Sequence, residues 1–412
     1  MNTDATSEKR QGYLILICWL IYTVAQLGRY TYSSNVNLIM EKYSVNHTEA
    51  GLAATLFFMM YGLGQIINGF VCDKYNVKFV LTFVMIFSGL INFAIYLDIA
   101  FVYIKYLWAL NGLLQATLWS SLILTLKRGI SEKKLKTAAF IMSTAASGGT
   151  FLSYVVCALF SLTPKFEYSF LLAGILLPTV GLLWFITLKG NSATRPQNEK
   201  ENSNFKRQEV EDEKRAIPRR QYGILLLLFS VFIIFAYAIS GGMRSWMPSI
   251  LKETYALEDW LSIFLSLFLP FCTIFNAAIS QYLYAKTNDF VKVCGIGFLA
   301  GSLFLIPVIF FLKTSWVIML ILFILITMSM GCISNAMTVQ VPLYMGGKGK
   351  SGFLAGWLNG LCYLGSALST YGLGWIADNM EWNTVFVIFF IFSILCFIIA
   401  LIYNVYKRKI VK

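Results

Sequence analysis

The chain has 412 residues, of which 58% are hydrophobic and only 13% charged, about half the charged share of a soluble globular protein. Its formal net charge is +13. This balance excludes an ordinary soluble enzyme, a secreted disulfide scaffold and a disordered chain.

The first eleven residues are polar, and twelve apolar stretches follow. They run 12–36, 50–71, 79–97, 102–127, 136–160, 168–189, 222–245, 260–284, 291–312, 315–341, 351–377 and 383–406. A helix needs about 20 apolar residues to cross the hydrocarbon core. Lipid admits only helices or closed barrels, because unpaired backbone groups find no water there. These stretches are too long and too uniformly apolar for barrel strands. The expected fold is an all-α membrane protein of twelve transmembrane helices. The first stretch is of full span length, so it is expected to stay in the bilayer rather than be cleaved.

A long polar segment divides the chain into six spans and six. The expected organisation is an N-terminal tail 1–11, a six-helix half 12–189, a linker 190–221, a second half 222–406 and a tail 407–412. The linker mixes Glu209, Glu211, Asp212 and Glu213 with Lys214, Arg215, Arg219 and Arg220, the pattern of a solvated connector.

The surplus of positive charge is one-sided. With an even number of spans both termini share a side, and 26 Lys and Arg residues fall there against five on the other. That is a positive-inside address, not a nucleic-acid surface. Both termini are expected in the cytoplasm, in a cell (plasma or inner) membrane. A monomer is expected.

The halves echo one another. Ile39-Met40-Glu41-Lys42-Tyr43 after span 1 matches Leu251-Lys252-Glu253-Thr254-Tyr255 after span 7. Gly374-Trp375-Ile376-Ala377-Asp378 echoes Gly69-Phe70-Val71-Cys72-Asp73. Paired halves of this kind place a substrate site between them near the midplane.

The most informative inventory is that of charges inside the spans. None of the twenty acids falls near a span centre. Of 33 basic residues only Arg29 in span 1 and Arg244 in span 7 are embedded. A charge in the bilayer is costly and is a site candidate by default. Two cations without an embedded acid leave a positive field that an anionic substrate would complete. Guanidinium adds a planar fork suited to phosphate or carboxylate. Aligning Tyr43 with Tyr255 sets Arg29 opposite Gly241, with Arg244 one turn farther on. The competing readings are that Arg244, close to an apparent span end, snorkels to the interface and that Arg29 bonds helix-end carbonyls.

Other polar residues are candidate cavity ligands. Gln26 and Tyr32 lie three residues either side of Arg29 and flank it. Asn111 and Gln115 share a face of span 4, and Asn359 and Tyr363 a face of span 11. Asn335 belongs to span 10. Each has an interhelical hydrogen bond as its alternative. Asn35 and Asn37 are too far round to join Arg29. Gly62/Gly64/Gly69, Ala145/Ala146/Gly148/Gly149 and Gly352/Gly356/Gly360 read as helix-packing runs.

Chemistry is sparse elsewhere. The eight cysteines form no CxxC or Cys/His cluster. The single histidine, His47, stands in a short polar loop without neighbouring ligands, so no metal site and no cofactor are expected. The sequon form Asn46-His47-Thr48 is read as chance in so compact a loop. No nucleophile–base constellation suggests an enzyme, and no phosphate-cradling loop suggests ATP-driven pumping. Proton-coupled carriers usually need a titratable group in the membrane. Anion exchange or facilitated diffusion is therefore preferred to proton coupling.

Gly69, Asp73, Lys74 and Lys78 resemble the loop 2–3 signature of the major facilitator superfamily, with Asn76 where a second glycine is usual. That resemblance implies a gate or latch role for Gly69, Asp73 and Lys74. Gly28-Arg29-Tyr30-Thr31-Tyr32, Asn111-Gly112 with Gln115 and Trp119, Tyr61-Gly62 with Gly64 and Gly69, and Trp246-Met247-Pro248 with Leu251-Lys252-Glu253 are similar to the organophosphate:phosphate antiporters of that superfamily, the glycerol-3-phosphate and hexose-phosphate transporters. The likeness implies two six-helix halves that rock about a central site, with one arginine from span 1 and one from span 7 gripping phosphate. Arg29 matches the first. Ser240 stands at the place of the second, Ala146 at that of the family's span 5 histidine, and Ser120-Ser121 at that of its Pro-Pro. The implied function is secondary transport of a small organic anion by exchange, with the lipid bilayer as the other partner. The alternatives are a transporter-like sensor of the same ligand, and a carboxylate, sugar-acid or drug transporter of the same fold.

Overall fold

The computed structural model describes residues 2–71, 75–188, 219–342 and 351–411. In chain order the helices are α1 (Asn2–Ser34), α2 (Val36–Tyr43), α3 (His47–Val71), α4 (Val77–Tyr96), α5 (Phe101–Gln115), α6 (Leu118–Gly129), α7 (Glu132–Ser161) and α8 (Tyr168–Thr187). After the linker come α9 (Arg219–Tyr255), α10 (Asp259–Ser266), α11 (Phe268–Cys272), α12 (Asn276–Thr287), α13 (Phe290–Phe311), α14 (Trp316–Asn335), α15 (Ser351–Asn379) and α16 (Trp382–Val411). The protein is an all-α membrane protein. Among the described residues, eleven helical stretches are long and apolar enough to span a bilayer. The remaining span, α15, is a helix of 29 residues whose glycines, serines and asparagines make it less apolar. Large apolar side chains cover the lipid-facing surface, Phe310 at 75% exposure and Phe140 at 70% among them; water would not tolerate such a patch.

Several boundaries depart from the sequence expectation. Span 1 does not run unbroken to its exit. It breaks at Asn35, whose amide donates to the Thr31 carbonyl and to Ser169 Oγ at 2.9 Å instead of leaving the side chain in lipid. Span 4 breaks between α5 and α6, and span 8 is interrupted around Pro270 by a short 3-10 turn, Thr273–Phe275. A π-helical stretch, Ala336–Gln340, follows α14. Span 7 is longer than expected: α9 starts at Arg219, inside the expected linker, and continues to Tyr255. The rest of the expected linker, together with Asp73 and Lys74, lies outside the described residues.

The helices before and after the linker each form a bundle. α1 packs on α7 and α8, α4 on α8, and α3 on α5. After the linker α9 packs on α15, and α13 on α14 and α16. Their cores are separate in the middle of the molecule, one around Ile21, Leu122, Leu177 and Trp184, the other around Phe232, Phe298, Phe323 and Phe386. Two seams join the bundles, α3 along α15 and α7 along α10. The first seam is close because it is glycine-lined: a Cβ on Gly62 would lie 3.3 Å from the Gly360 carbonyl oxygen. Gly148 and Gly356, expected to serve packing too, face open space, and the side chain position of Gly352 lies outside the described residues.

Candidate functional site

Between the bundles lies a cavity of about 320 Å³. α1 contributes Tyr22, Gln26, Arg29 and Tyr30, α3 contributes Phe58, Tyr61 and Gln65, and α7 contributes Ala146, Ser147 and Thr150. From the second bundle come Tyr237, Gly241, Arg244 and Ser245 of α9, Thr338 and Val339 of the π-helical stretch, and Asn359, Tyr363 and Ser366 of α15. Among the described residues, no lining residue is Asp, Glu or His. The charges on the wall, among the described residues, are the two guanidinium groups.

Arg29 is 5% exposed and is held by neutral groups. Its Nε donates to Gln115 Oε1 at 3.1 Å. Gln115 Nε2 donates in turn to Asn111 Oδ1 at 3.1 Å, which fixes the way the amide points. The guanidinium carbon lies 4.3 Å from the Tyr61 ring centroid, a cation–π contact. Among the described residues, buried Nη2 has no hydrogen-bond partner. The helix-carbonyl alternative for Arg29 finds no support in these contacts.

Arg244 is partly buried on the facing wall. Its Nε donates to the Ser240 carbonyl at 3.2 Å, and its Cζ lies 5.9 Å from the Tyr237 ring. Because α9 continues to Tyr255, Arg244 is not at a span end. The run Ser240-Gly241-Gly242 looks like an exit in the sequence because it is weakly apolar. In the fold Gly241 and Ser245 face the cavity, and Gly242 lets α15 approach: a Cβ there would meet Leu373 at 2.5 Å.

The other candidates divide. Gln26, Asn359 and Tyr363 line the cavity. Asn111 and Gln115 are fully buried behind Arg29. Tyr32 turns away; its hydroxyl donates to the Ala50 carbonyl at 2.9 Å and its ring packs on Trp108 at 5.4 Å. Asn335 accepts from Gln340 at 3.3 Å and is not on the wall. Gly69 lies within α3; Asp73 and Lys74 are not described. Sequence reasoning missed Tyr22, Tyr61, Gln65 and Tyr237 as wall residues. Tyr61 had one signal, its place in the span 2 motif. Tyr22 and Tyr237 look apolar, and the facing of these two and of the polar Gln65 depends on the neighbouring helix.

The end of the molecule that carries the short loops is closed. Asn37 Oδ1 accepts from Ser249, and Lys252 Nζ lies 3.8 Å from Glu41, so the two matching sequence ends meet. Thr55 donates to the Ala367 carbonyl at 2.8 Å. His47 lies between Asp378 at 2.8 Å and Glu253 at 2.7 Å, both from the other bundle. Beside this seam Lys42 bridges the α4–α5 and α7–α8 loops, and its hydrogen bond holds the Asp98 carboxyl below its ordinary range. The closure depends on backbone proximity. A Cβ on Gly51 would lie 2.5 Å from the Thr370 carbonyl, and one on Gly374 would lie 2.5 Å from that of His47. Gly51→Ala is therefore expected to lengthen the distance between spin labels on the exposed loop residues Thr163 and Thr314. An unchanged distance would remove this contact from the closure.

Comparison with known proteins adds the lineage. Residues 18–370 match the family described as the Major Facilitator Superfamily. The membrane sensor protein UhpC of Escherichia coli K12 is 20% identical over 403 residues, 93% of this chain and 90% of its own length. Human sugar phosphate exchanger 3 is 28% identical over 173 residues, 38% of this chain and 35% of its own. The hexuronate transporter of Bacillus subtilis is 23% identical over 66% of this chain and 65% of its own. In fold, a bacterial homologue of the human lysosomal transporter Spinster superposes with a TM-score of 0.76 at 13% identity, over 96% of this chain and 97% of the other. The peptide transporter POT superposes with a TM-score of 0.75 at 11% identity, over 95% and 94%.

Proposed function

This chain belongs to the Major Facilitator Superfamily and is a non-enzymatic membrane transporter, and on that premise we propose that it exchanges small organic anions, of the organophosphate or related class, by alternating access. One observation carries the reading: Arg29, whose buried Nη2 has no hydrogen-bond partner among the described residues, lines a cavity whose described wall holds two guanidinium groups and no acid. A buried cation without a partner is strongly unfavourable, and a bound anion supplies the missing charge and acceptor together. Arg244 serves as the second cation from the other bundle. The wall's tyrosines and amides suit a polar organic body attached to the anionic group. The named substrates of the sugar phosphate exchangers and the hexuronate transporter support this class.

The halves act as two bodies, 12–189 and 222–406, linked through 190–221 on the cytoplasmic side with both termini, in a cell membrane and as a monomer. The charge bias of the loops supports that orientation. The closed short-loop end then faces outward, and rocking about the α3–α15 and α7–α10 seams would open it. Asp73 and Lys74 remain proposed latch residues at the cytoplasmic end.

The test is exchange of labelled phosphate by the protein in liposomes, against a panel of organophosphates and organic acids. Saturable exchange accelerated by an anion on the opposite face is expected. Failure to move any anion under any gradient would end the proposal. The name of the E. coli relative favours a second reading, ligand sensing without turnover, which predicts saturable binding in the same preparation with no flux.

A further inference from the structure

The closed outer end contains a titratable cluster that the anion site does not use. His47 is the only histidine of the chain and opens α3. Its Nδ1 lies 2.8 Å from Asp378 Oδ1 on α15, and its Nε2 lies 2.7 Å from Glu253 Oε1 on α9. A neutral imidazole has one N–H and one lone pair. Placed between two carboxylates, it would turn the lone pair on an anion. Both contacts are satisfied only when both nitrogens donate, that is, in the imidazolium.

The surroundings reinforce the point. α16 contributes the Trp382 ring at 5.7 Å from the histidine ring, and α9 the Trp246 ring at 5.5 Å. Trp382 Nε1 donates to Glu253 Oε2 at 2.8 Å, so that carboxylate is fixed. Asp378 also accepts the backbone N–H groups of His47 and Thr48 at 3.0 and 2.8 Å, capping α3 from the opposite bundle. Of the other charges at this end, Lys252 pairs with Asp259 and Glu41, and Glu381 with Lys313, while Glu49 in the first turn of α3 is exposed. The histidine side chain keeps 18% of its surface, so it stays within reach of protons from its own side.

We propose that a proton on His47 locks the outer end shut, so that the pH outside sets the direction in which the cavity opens. Opening must pull His47, on the first bundle, away from Glu253 and Asp378, on the second. The closed end therefore holds the proton more tightly than the open end. By linkage, closure is favoured at low outside pH and weakens as pH rises through the titration of the closed cluster. The proton is taken from and returned to the same side, so the device regulates exchange without driving it. One charge-assisted hydrogen bond is worth on the order of tenfold in the closed-to-open ratio.

Alternating access is the premise, and the readout is a distance rather than a flux, so a failed transport assay and a pH-insensitive gate are separate results. Spin labels carried on unnatural amino acids at Thr163 and Thr314 report the outer separation in liposomes. In wild type, moving from about pH 5.5 to 8.5, a window set by the ordinary histidine pKa, should shift the population from short to long distances by about tenfold. His47→Gln should abolish the shift. Glu253→Gln, which replaces one carboxylate by an amide, should keep a shift and move it to lower pH. A wild-type distance that ignores pH, or an unchanged titration in His47→Gln, overturns the proposal.

Discussion

Replacing Arg29 by lysine is expected to lower anion exchange by about 100-fold while the protein still inserts and folds. Lysine keeps the charge and removes the fork. The ammonium cannot donate to Gln115 through Nε while directing a second donor at a ligand, as the guanidinium does at 3.1 Å. Losing charge-assisted bonds of about 1.5–3 kcal/mol to a bound anion accounts for a fall of that size. The Arg29 contact with the Tyr61 ring at 4.3 Å weakens too, because a point charge on a flexible stem does not stack. Exchange in liposomes, with thermal unfolding as the folding control, measures this directly. Unaltered exchange would remove Arg29 from the site.

Gln115→Glu is expected to be as damaging, for the opposite reason. The wild-type residue holds Arg29 without neutralising it. A carboxylate at the same place loses the donor that Gln115 Nε2 gives to Asn111 Oδ1, but it would pair with the guanidinium inside the protein and satisfy the charge that the substrate is proposed to satisfy. Buried pairs of this kind are hard to separate. Exchange should fall by about 100-fold through loss of affinity, seen as a raised KM. Gln115→Leu keeps the cation free but unpositioned and should cost only about tenfold. Equal loss in both variants would mean that Gln115 serves packing alone.

Much of the fold was legible because lipid is a simple solvent. Length and apolarity mark a span without any knowledge of its neighbours, and helix is the only local answer. The uneven loop charges pointed to a side. Arg29 and Arg244 stood out because a charge in lipid is rare and costly wherever the chain places it. The breaks were not legible. At the break after α1 the Asn35 amide reaches Ser169, more than a hundred residues away, and α15 covers the glycines of α9 past its apolar core.

The sequence by itself determined an all-α membrane bundle, its spans and the two cations within them, because each follows from transfer of local segments into lipid. Facing is different. Tyr32 and Gln26 are equally placed beside Arg29 on the helix, yet one points at Ala50 and the other lines the cavity. His47 read as an isolated loop residue, since its partners lie 206 and 331 positions away. Only the packing of two bundles decided which polar groups meet, because hydrogen bonds and ion pairs act over a few ångströms of space and carry no trace of separation along the chain.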